Sequence, residues 1–223
     1  MASVATQTAA PVPSGEEVKE FMVEMRARAM RLHSKDQSWE GMAEALEPPV
    51  ATWNPTVEGY ISYLVDMKLV FGTLEAVVNR AAIPWYAELQ NNGLERSEAL
   101  KKDLEWFSQQ GYTIPQPAAP GIAYSSFLEE VSEKDPQAFT CHFYNAYFGL
   151  AGGGRIIGRK VAEKILSNKE MDLYKLDNKV LQEVRGKLNK VTSAWSREEK
   201  DNCLAEIEKS FVYSRRNVAI VVW

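Results

Sequence analysis

Four glycines fall within six residues, at Gly149, Gly152, Gly153 and Gly154, in the stretch FGLAGGGRIIG at 148–158. Each glycine in a helix interior costs about 1 kcal/mol relative to alanine, so the run calls for a reason. A loop between two helices is one reading. The flanks weigh against it, because HFYNAYF before and IIGRKVAEKIL after are helical in character and carry no Pro or Asp turn signal. The other reading is a helix whose backbone must lie against something flat, since only glycine leaves a helix surface bare of side chains. Nucleotide chemistry fits poorly. Gly152, Gly154 and Gly158 approach the spacing of a dinucleotide fingerprint, but that motif needs a preceding strand, and an aromatic helix stands there instead. Lys160 is followed by Val161 rather than Ser or Thr, so a phosphate-binding P-loop fails as well.

His33 is the second residue of interest. A lone histidine on a helix is usually structural. Here Gln37 lies four residues on, where it can hydrogen-bond one ring nitrogen and leave the other for a metal. Arg26, two turns earlier, offers a cation to an anionic group. A flat, anionic, metal-centred ligand answers both features, which is the description of a haem held between His33 and a glycine-bare helix.

These residues need elements to position them. Val18, Phe21, Met22, Met25, Ala29, Leu32 and His33 fall within an arc of about 120° at helical spacing. Ser14 would cap that helix, with Glu16 and Glu17 at its positive end. Pro55 opens a long helix over 57–82, and Pro84 interrupts it. Further helices are predicted over 94–110, 122–134, 136–166 with a glycine interruption, 180–195 and 198–221, with a Pro-rich crossing at 112–121. Strands are essentially absent, and the short apolar run 218–223 reads as the end of a packed helix. Residues 1–14, uncharged and rich in Ala, Thr and Pro, are expected to be a disordered leader, the remnant of an organelle transit peptide. Residues 15–223 are expected to form one all-α domain. Composition agrees. Of 223 residues, 45% are hydrophobic and 25% charged, in the range of globular proteins, and the net charge of −4 argues against general nucleic-acid binding. No apolar run of about 18 residues exists to span a membrane. Two cysteines, Cys141 and Cys203, are too few for a disulfide framework.

The sequence resembles the plant-type haem oxygenases of plastids. The likeness is carried by RLHSKDQ at 31–37, PTVEGYISYLV at 55–65, GLERSEALKKDLEWFSQQGYTIPQP at 93–117, EKDPQAFTCHFYNAYF at 133–148 and GGRIIGRKVAEKIL at 153–166. It continues through VRGKLNKV at 184–191 and WSREEKDNCLAEIEKSF at 195–211, nearly the whole chain after residue 16. The resemblance implies a single-domain haem oxygenase-like helical bundle, with haem between a proximal helix and a kinked, glycine-rich distal helix. His33 then stands at the iron-ligand position and Gln37 at that of its hydrogen-bond partner. Gly149, Gly153 and Gly154 match the distal glycines over the haem face. Tyr144 and Arg185 match groups that hold the haem propionates, and Arg26 is expected to be a third. The implied reaction uses haem as substrate and cofactor together with molecular oxygen, and yields biliverdin, carbon monoxide and ferrous iron. The implied partners are ferredoxin, as electron donor, and a downstream bilin reductase of phytochrome chromophore synthesis. The implied place is the plastid stroma.

Two positions depart from the pattern. Leu150 stands where animal and bacterial members have Asp and land-plant members usually have His. Phe71 stands where a Tyr usually contributes to the same distal network. Both replacements are apolar, so a drier distal pocket is expected, with Leu150 reaching toward it and Arg155, Asn145 or backbone carbonyls holding the water instead. His142 is expected to be structural, and Met22, Met25 and Met30 to be core and pocket filling. The cluster Arg155, Arg159, Lys160, Lys164, Lys187 and Lys190 is a candidate dock for acidic ferredoxin. The competing readings are a non-catalytic haem or tetrapyrrole binder on the same fold, and a helical interaction protein without a cofactor.

Overall fold

The structure, a computed structural model, describes residues 20–37 and 54–222, and side chains at 33–37 and 220–222 lie outside that description. The leader, Ser14 and Trp223 fall outside it as well. Among the described residues the chain is helical throughout, with no strand. The helices are α1 (Phe21–Gln37), α2 (Val57–Arg80), α3 (Ser97–Gln109), α4 (Ala119–Lys134), α5 (Pro136–Gly149), α6 (Arg155–Ile165), α7 (Asn178–Ser193), α8 (Arg197–Ala205) and α9 (Ile207–Val222). Short 3-10 turns cover Pro84–Leu89 and Asp172–Tyr174, and a π-helical turn, Leu150–Gly154, joins α5 to α6. No helix among the described residues is long and apolar enough to cross a membrane.

The central element is α2. The Thr56 hydroxyl caps it by accepting from Gly59 N at 3.0 Å, and Ala81 ends it in the left-handed region at φ 47°. It packs on α3, α4 and α9. Two of its carboxylates cap its neighbours. Asp66 accepts from Ala118 N at 2.7 Å and Gly121 N at 3.0 Å, at the start of α4. Glu75 accepts from Arg96 N at 2.6 Å and Ser97 N at 3.1 Å, at the start of α3. Each supplies an acceptor for amides that the helix itself leaves open. Gly121 is obligatory there, because a Cβ would run into the Asp66 carboxylate.

Two boundaries differ from the sequence reading. The helix expected from Leu94 begins at Ser97, where the Glu75 cap sits. The helix expected over 198–221 is divided at Glu206 into α8 and α9. Glu206 turns there toward His142, whose Nε2 lies 3.2 Å from its Oε1. On α1, Phe21, Met22, Met25 and Ala29 are buried as their spacing predicts, whereas Met30 is exposed.

Candidate functional site

Capped by Asp135, whose side chain accepts from Ala138 N at 3.0 Å, α5 runs to Gly149. The glycines beyond it do not form a loop. They continue as a π turn, a wide turn of the kind often found at functional sites, with Gly149 and Gly154 in ordinary right-handed helical conformations. Cβ atoms placed on Gly149, Gly152 or Gly153 would meet nothing within 4 Å. The backbone there faces open space, so neither crowding nor a special φ forces glycine at these positions. Gly154 differs. A Cβ on it would lie 3.1 Å from Leu150 Cδ1. Of the three glycines expected to bare a haem face, Gly149 and Gly153 have open space before them, while Gly154 makes room for Leu150.

Leu150 is 5% exposed and belongs to the core. Its side chain fills the slot left by Gly154. Phe71 is fully buried, with its ring 5.1 Å from that of Tyr147. Neither residue offers a proton. The two side chains expected to hold distal water are committed elsewhere. Asn145 Nδ2 donates to Ser210 Oγ at 2.7 Å, and Arg155 is bonded to the loop after α6. Backbone carbonyls of the glycine segment remain from that expectation.

Next to the glycines the structure gathers a cationic edge. The Tyr144 phenol is buried, which pushes its ionisation up, while the guanidiniums of Arg185 and Arg26 pull it back down. Thus α5, α7 and α1 each contribute one of three residues expected near carboxylates. Phe148, which sequence reasoning passes over, joins them. Its ring stacks on Tyr144 at 4.6 Å and lies under the Arg185 guanidinium at 5.3 Å. The i,i+4 spacing of Tyr144 and Phe148 is the available signal. Arg26 is exposed and Arg185 half-buried, so both can meet an anion without a prior buried ion pair to break. His33 and Gln37 lie in the last turns of α1, and their side chains are outside the described residues. The main packing partners of α1 are α7, α8 and α9, whereas those of the glycine segment are α5, α6 and the 3-10 turn at Asp172.

These residues fit a haem: an open, Cβ-free strip of backbone for a flat face, and beside it two guanidiniums and a phenol for anionic substituents. The basic cluster is only partly available. Arg155 is engaged, Lys160 pairs with Glu163 at 2.9 Å and Lys190 with Glu88 at 3.4 Å. His142 is structural as expected. It is fully buried, with Nδ1 2.9 Å from Tyr124 Oη and Nε2 against Glu206. Burial lowers its pKa, so the ring is neutral at pH 7.

The fold and the site define a helical protein built to hold a flat, anionic ligand, and comparison with known proteins gives the class its name. The family model described as Heme oxygenase matches residues 19–219. The chain is 63% identical to "Heme oxygenase 1, chloroplastic" of Oryza sativa subsp. japonica over 208 residues, covering 92% of this chain and 72% of that protein. It is 57% identical to the protein of the same name from Arabidopsis thaliana over 212 residues, covering 92% and 75%. The haem complex of heme oxygenase-1 from the cyanobacterium Synechocystis superposes with a TM-score of 0.70 at 15% identity, covering 89% of this chain and 90% of that one, a likeness of fold alone. The chain therefore belongs to the haem oxygenase family. It is a haem oxygenase enzyme, and the plastid address carried in its relatives' names extends to it.

Proposed function

We propose that this haem oxygenase holds haem between α1 and the glycine segment and opens it with electrons from ferredoxin. The products would be biliverdin, carbon monoxide and ferrous iron, and the biliverdin would pass to a bilin reductase in the plastid stroma. Bound haem supplies both the iron at which molecular oxygen is activated and the macrocycle that is cleaved. The chain's own residues do the rest. His33 offers an imidazole nitrogen to the iron, with Gln37 orienting the ring. Arg26, Tyr144 and Arg185 would hold the propionates. Gly149 and Gly153 would leave room for the macrocycle beside the backbone. Leu150 and Phe71 keep the distal side apolar and exclude bulk water. Of the basic cluster, Arg159 and Lys187 would guide an acidic electron donor.

The observation that carries this reading is the juxtaposition of bare backbone at Gly149–Gly153 with the cationic edge formed by Arg26 and Arg185. The apolar pair Leu150 and Phe71 favours one competing reading, a tetrapyrrole binder that does not turn over. Incubating the haem complex with reduced ferredoxin and its reductase separates the two. A growing bilin band with loss of the haem band supports the enzyme reading, and a stable haem spectrum supports the binder. Ferredoxin docking by charge further requires that salt slow ferredoxin-driven turnover more than turnover driven by a small neutral reductant, since exposed charges are screened over about 8–10 Å at physiological salt.

A further inference from the structure

Behind the glycine segment lies an arrangement that none of the proposed chemistry uses. The loop between α6 and α7 leaves helical geometry after Tyr174, and of its next three carbonyls only that of Tyr174 has a backbone partner among the described residues, Leu176 N at 3.0 Å. Arginines take three consecutive ones. Arg155 Nε donates to Tyr174 O at 3.1 Å, Arg96 Nη1 donates to Lys175 O at 3.0 Å, and Arg155 Nη2 donates to Leu176 O. The remaining nitrogen of Arg155, Nη1, donates to Asn178 Oδ1 at 3.3 Å, at the start of α7. Arg96 is 8% exposed and anchored on its other side, with Nε donating to Leu94 O at 2.7 Å. Two guanidiniums that close repel each other, and one of them is buried. Burial lowers the Arg96 pKa and Arg155 adds a smaller push in the same direction, while Tyr147, Glu75 and Glu95 oppose both. Such a pair is costly unless every donor is used.

The loop is held independently of α6. Asp103 of α3 accepts from Asp172 N at 2.7 Å and Leu173 N at 2.9 Å, and the phenols of Tyr174 and Tyr60 meet at 3.4 Å. The Tyr174 ring then lies against Gly158, where any Cβ would overlap it. Arg155 and Gly158 therefore tie the first turn of α6 to a fixed platform. On the upstream side, Tyr147 is buried, with Glu75 among the charges that push its ionisation up, and its ring sits 4.7 Å from Phe143 and 5.1 Å from Phe71.

A wide turn carries one extra residue, and it can migrate along a helix by passing that extra residue from one position to the next. Each residue it passes is rotated by about 100° and shifted by about 1.5 Å. Upstream migration past Tyr147 would swing its ring away from Phe71 and Phe143. Downstream migration past Arg155 would pull the guanidinium from both carbonyls. The wide turn is thus confined to the glycines.

We propose that Arg155 and Arg96 are positioning residues for haem cleavage: their shared grip on the carbonyls of 174–176 fixes the register of the Leu150–Gly154 turn, and with it the backbone surface offered to the substrate. The proposal rests on the reading that the glycine face is the haem face.

Arg155→Lys keeps the charge but cannot span two carbonyls, and Asn178→Ala removes only the Nη1 contact and serves as the control. Hydrogen exchange of the free 223-residue chain, which needs no haem, reads the register directly. Amides of 150–158 should exchange at least about tenfold faster in Arg155→Lys, as expected for a local loss of about 1.4 kcal/mol. Those of 60–78 should be unchanged. The bilins formed from the haem complex read the consequence. The parent and Asn178→Ala should give a single isomer and Arg155→Lys a mixture, at nearly unchanged haem affinity. Gly158→Ala, which pushes α6 off Tyr174 without touching either arginine, should also give a mixture, and adding Tyr174→Leu should restore the single isomer; this pair decides the matter if Arg155→Lys does not fold. Unchanged exchange at 150–158 in Arg155→Lys overturns the clamp. Faster local exchange with one bilin isomer retained overturns its role in positioning. A parent chain that fails to bind haem at all overturns the functional reading on which the role depends, and haem titration of the parent separates that result from the others.

Discussion

If the glycine face is bare for the sake of a ligand, filling it should help the free chain and harm the complex. The positions to fill are Gly149, Gly152 and Gly153, because a Cβ there meets nothing within 4 Å. Gly149 is helical at φ −65° and ψ −43°, a conformation alanine adopts without strain. Each Gly→Ala change should therefore return the propensity difference, about 0.8–1 kcal/mol, with no steric loss to set against it. The triple variant should gain about 2–3 kcal/mol, which for a chain of this size raises Tm by roughly 4–12 °C. Gly154→Ala is the internal contrast. Its methyl would press on Leu150 Cδ1 at 3.1 Å, so its gain should be small or negative. Haem binding should move the other way. Methyl groups between backbone and macrocycle hold the plane off the helix, and affinity should fall by at least about tenfold, the equivalent of 1.4 kcal/mol. Urea unfolding of the free chain and haem titration followed at the Soret band measure the two quantities on the same preparations. A destabilised triple variant would mean that the space beside the glycines is not open. A stabilised variant with undiminished haem affinity would mean that the haem lies elsewhere.

Three further outcomes are expected. His33→Ala should still take up haem through the cationic edge and apolar contacts but lose the six-coordinate imidazole spectrum, and an unchanged spectrum would remove His33 from the iron. Leu150→His should speed conversion to biliverdin at saturating ferredoxin by returning a polar group to the distal side; normal haem binding with no gain in rate would show that proton delivery does not depend on this position. His142 should make stability depend on pH. Its folded pKa is lowered, chiefly by burial, from 6.5, so the unfolded chain binds the proton more readily. Stability is then complete above about pH 6.5 and declines below it, by at most about 1.4 kcal/mol per pH unit. Glu206, whose pKa is lowered first by its bond with His142, adds a second loss as pH falls below about 4.5. Urea midpoints at pH 7.5 and 5.5 should differ more for the parent than for His142→Asn, and equal differences would assign the acid sensitivity to other groups.

How much of the fold and the site is legible in the sequence depends on the range of the interactions involved. The stripe through Phe21, Met22, Met25 and Ala29 is set by periodicity within one helix and lies in the core as read. The glycine run reads correctly as helical, because its flanks carry no turn residues, but the extra residue of a π turn has no one-residue signature. Boundaries set by distant groups escape a local reading. Arg96 and Ser97 take their cap from Glu75, 21 and 22 residues earlier, and α8 ends where Glu206 turns to a histidine 64 residues away. Tyr144 and Arg185 can be paired only through resemblance, since nothing local links α5 to α7. Arg155 misleads because an arginine beside a glycine segment is as easily a pocket group as an anchor, and only the carbonyls of 174 and 176 tell which.

The same contrast explains how a poor helix former can serve as a rigid wall. Gly149, Gly152 and Gly153 together withhold about 2–3 kcal/mol of helix propensity. Hydrogen bonds to charged groups contribute about 1.5–3 kcal/mol each, so the Arg155 bonds on one side, with the packing of the Tyr147 ring on the other, suffice to offset that deficit. Both anchors approach from behind, through the buried faces of α5 and α6, and leave the front of the turn free of side chains. Phe71 and Leu150 pack against the same turn: one supports the Tyr147 ring, and the other fills the slot at Gly154. Apolar residues at these two positions therefore change how wet the distal side is without changing the shape of the wall. On this account the shape of the wall governs which edge of haem is cleaved, and its polarity governs how fast.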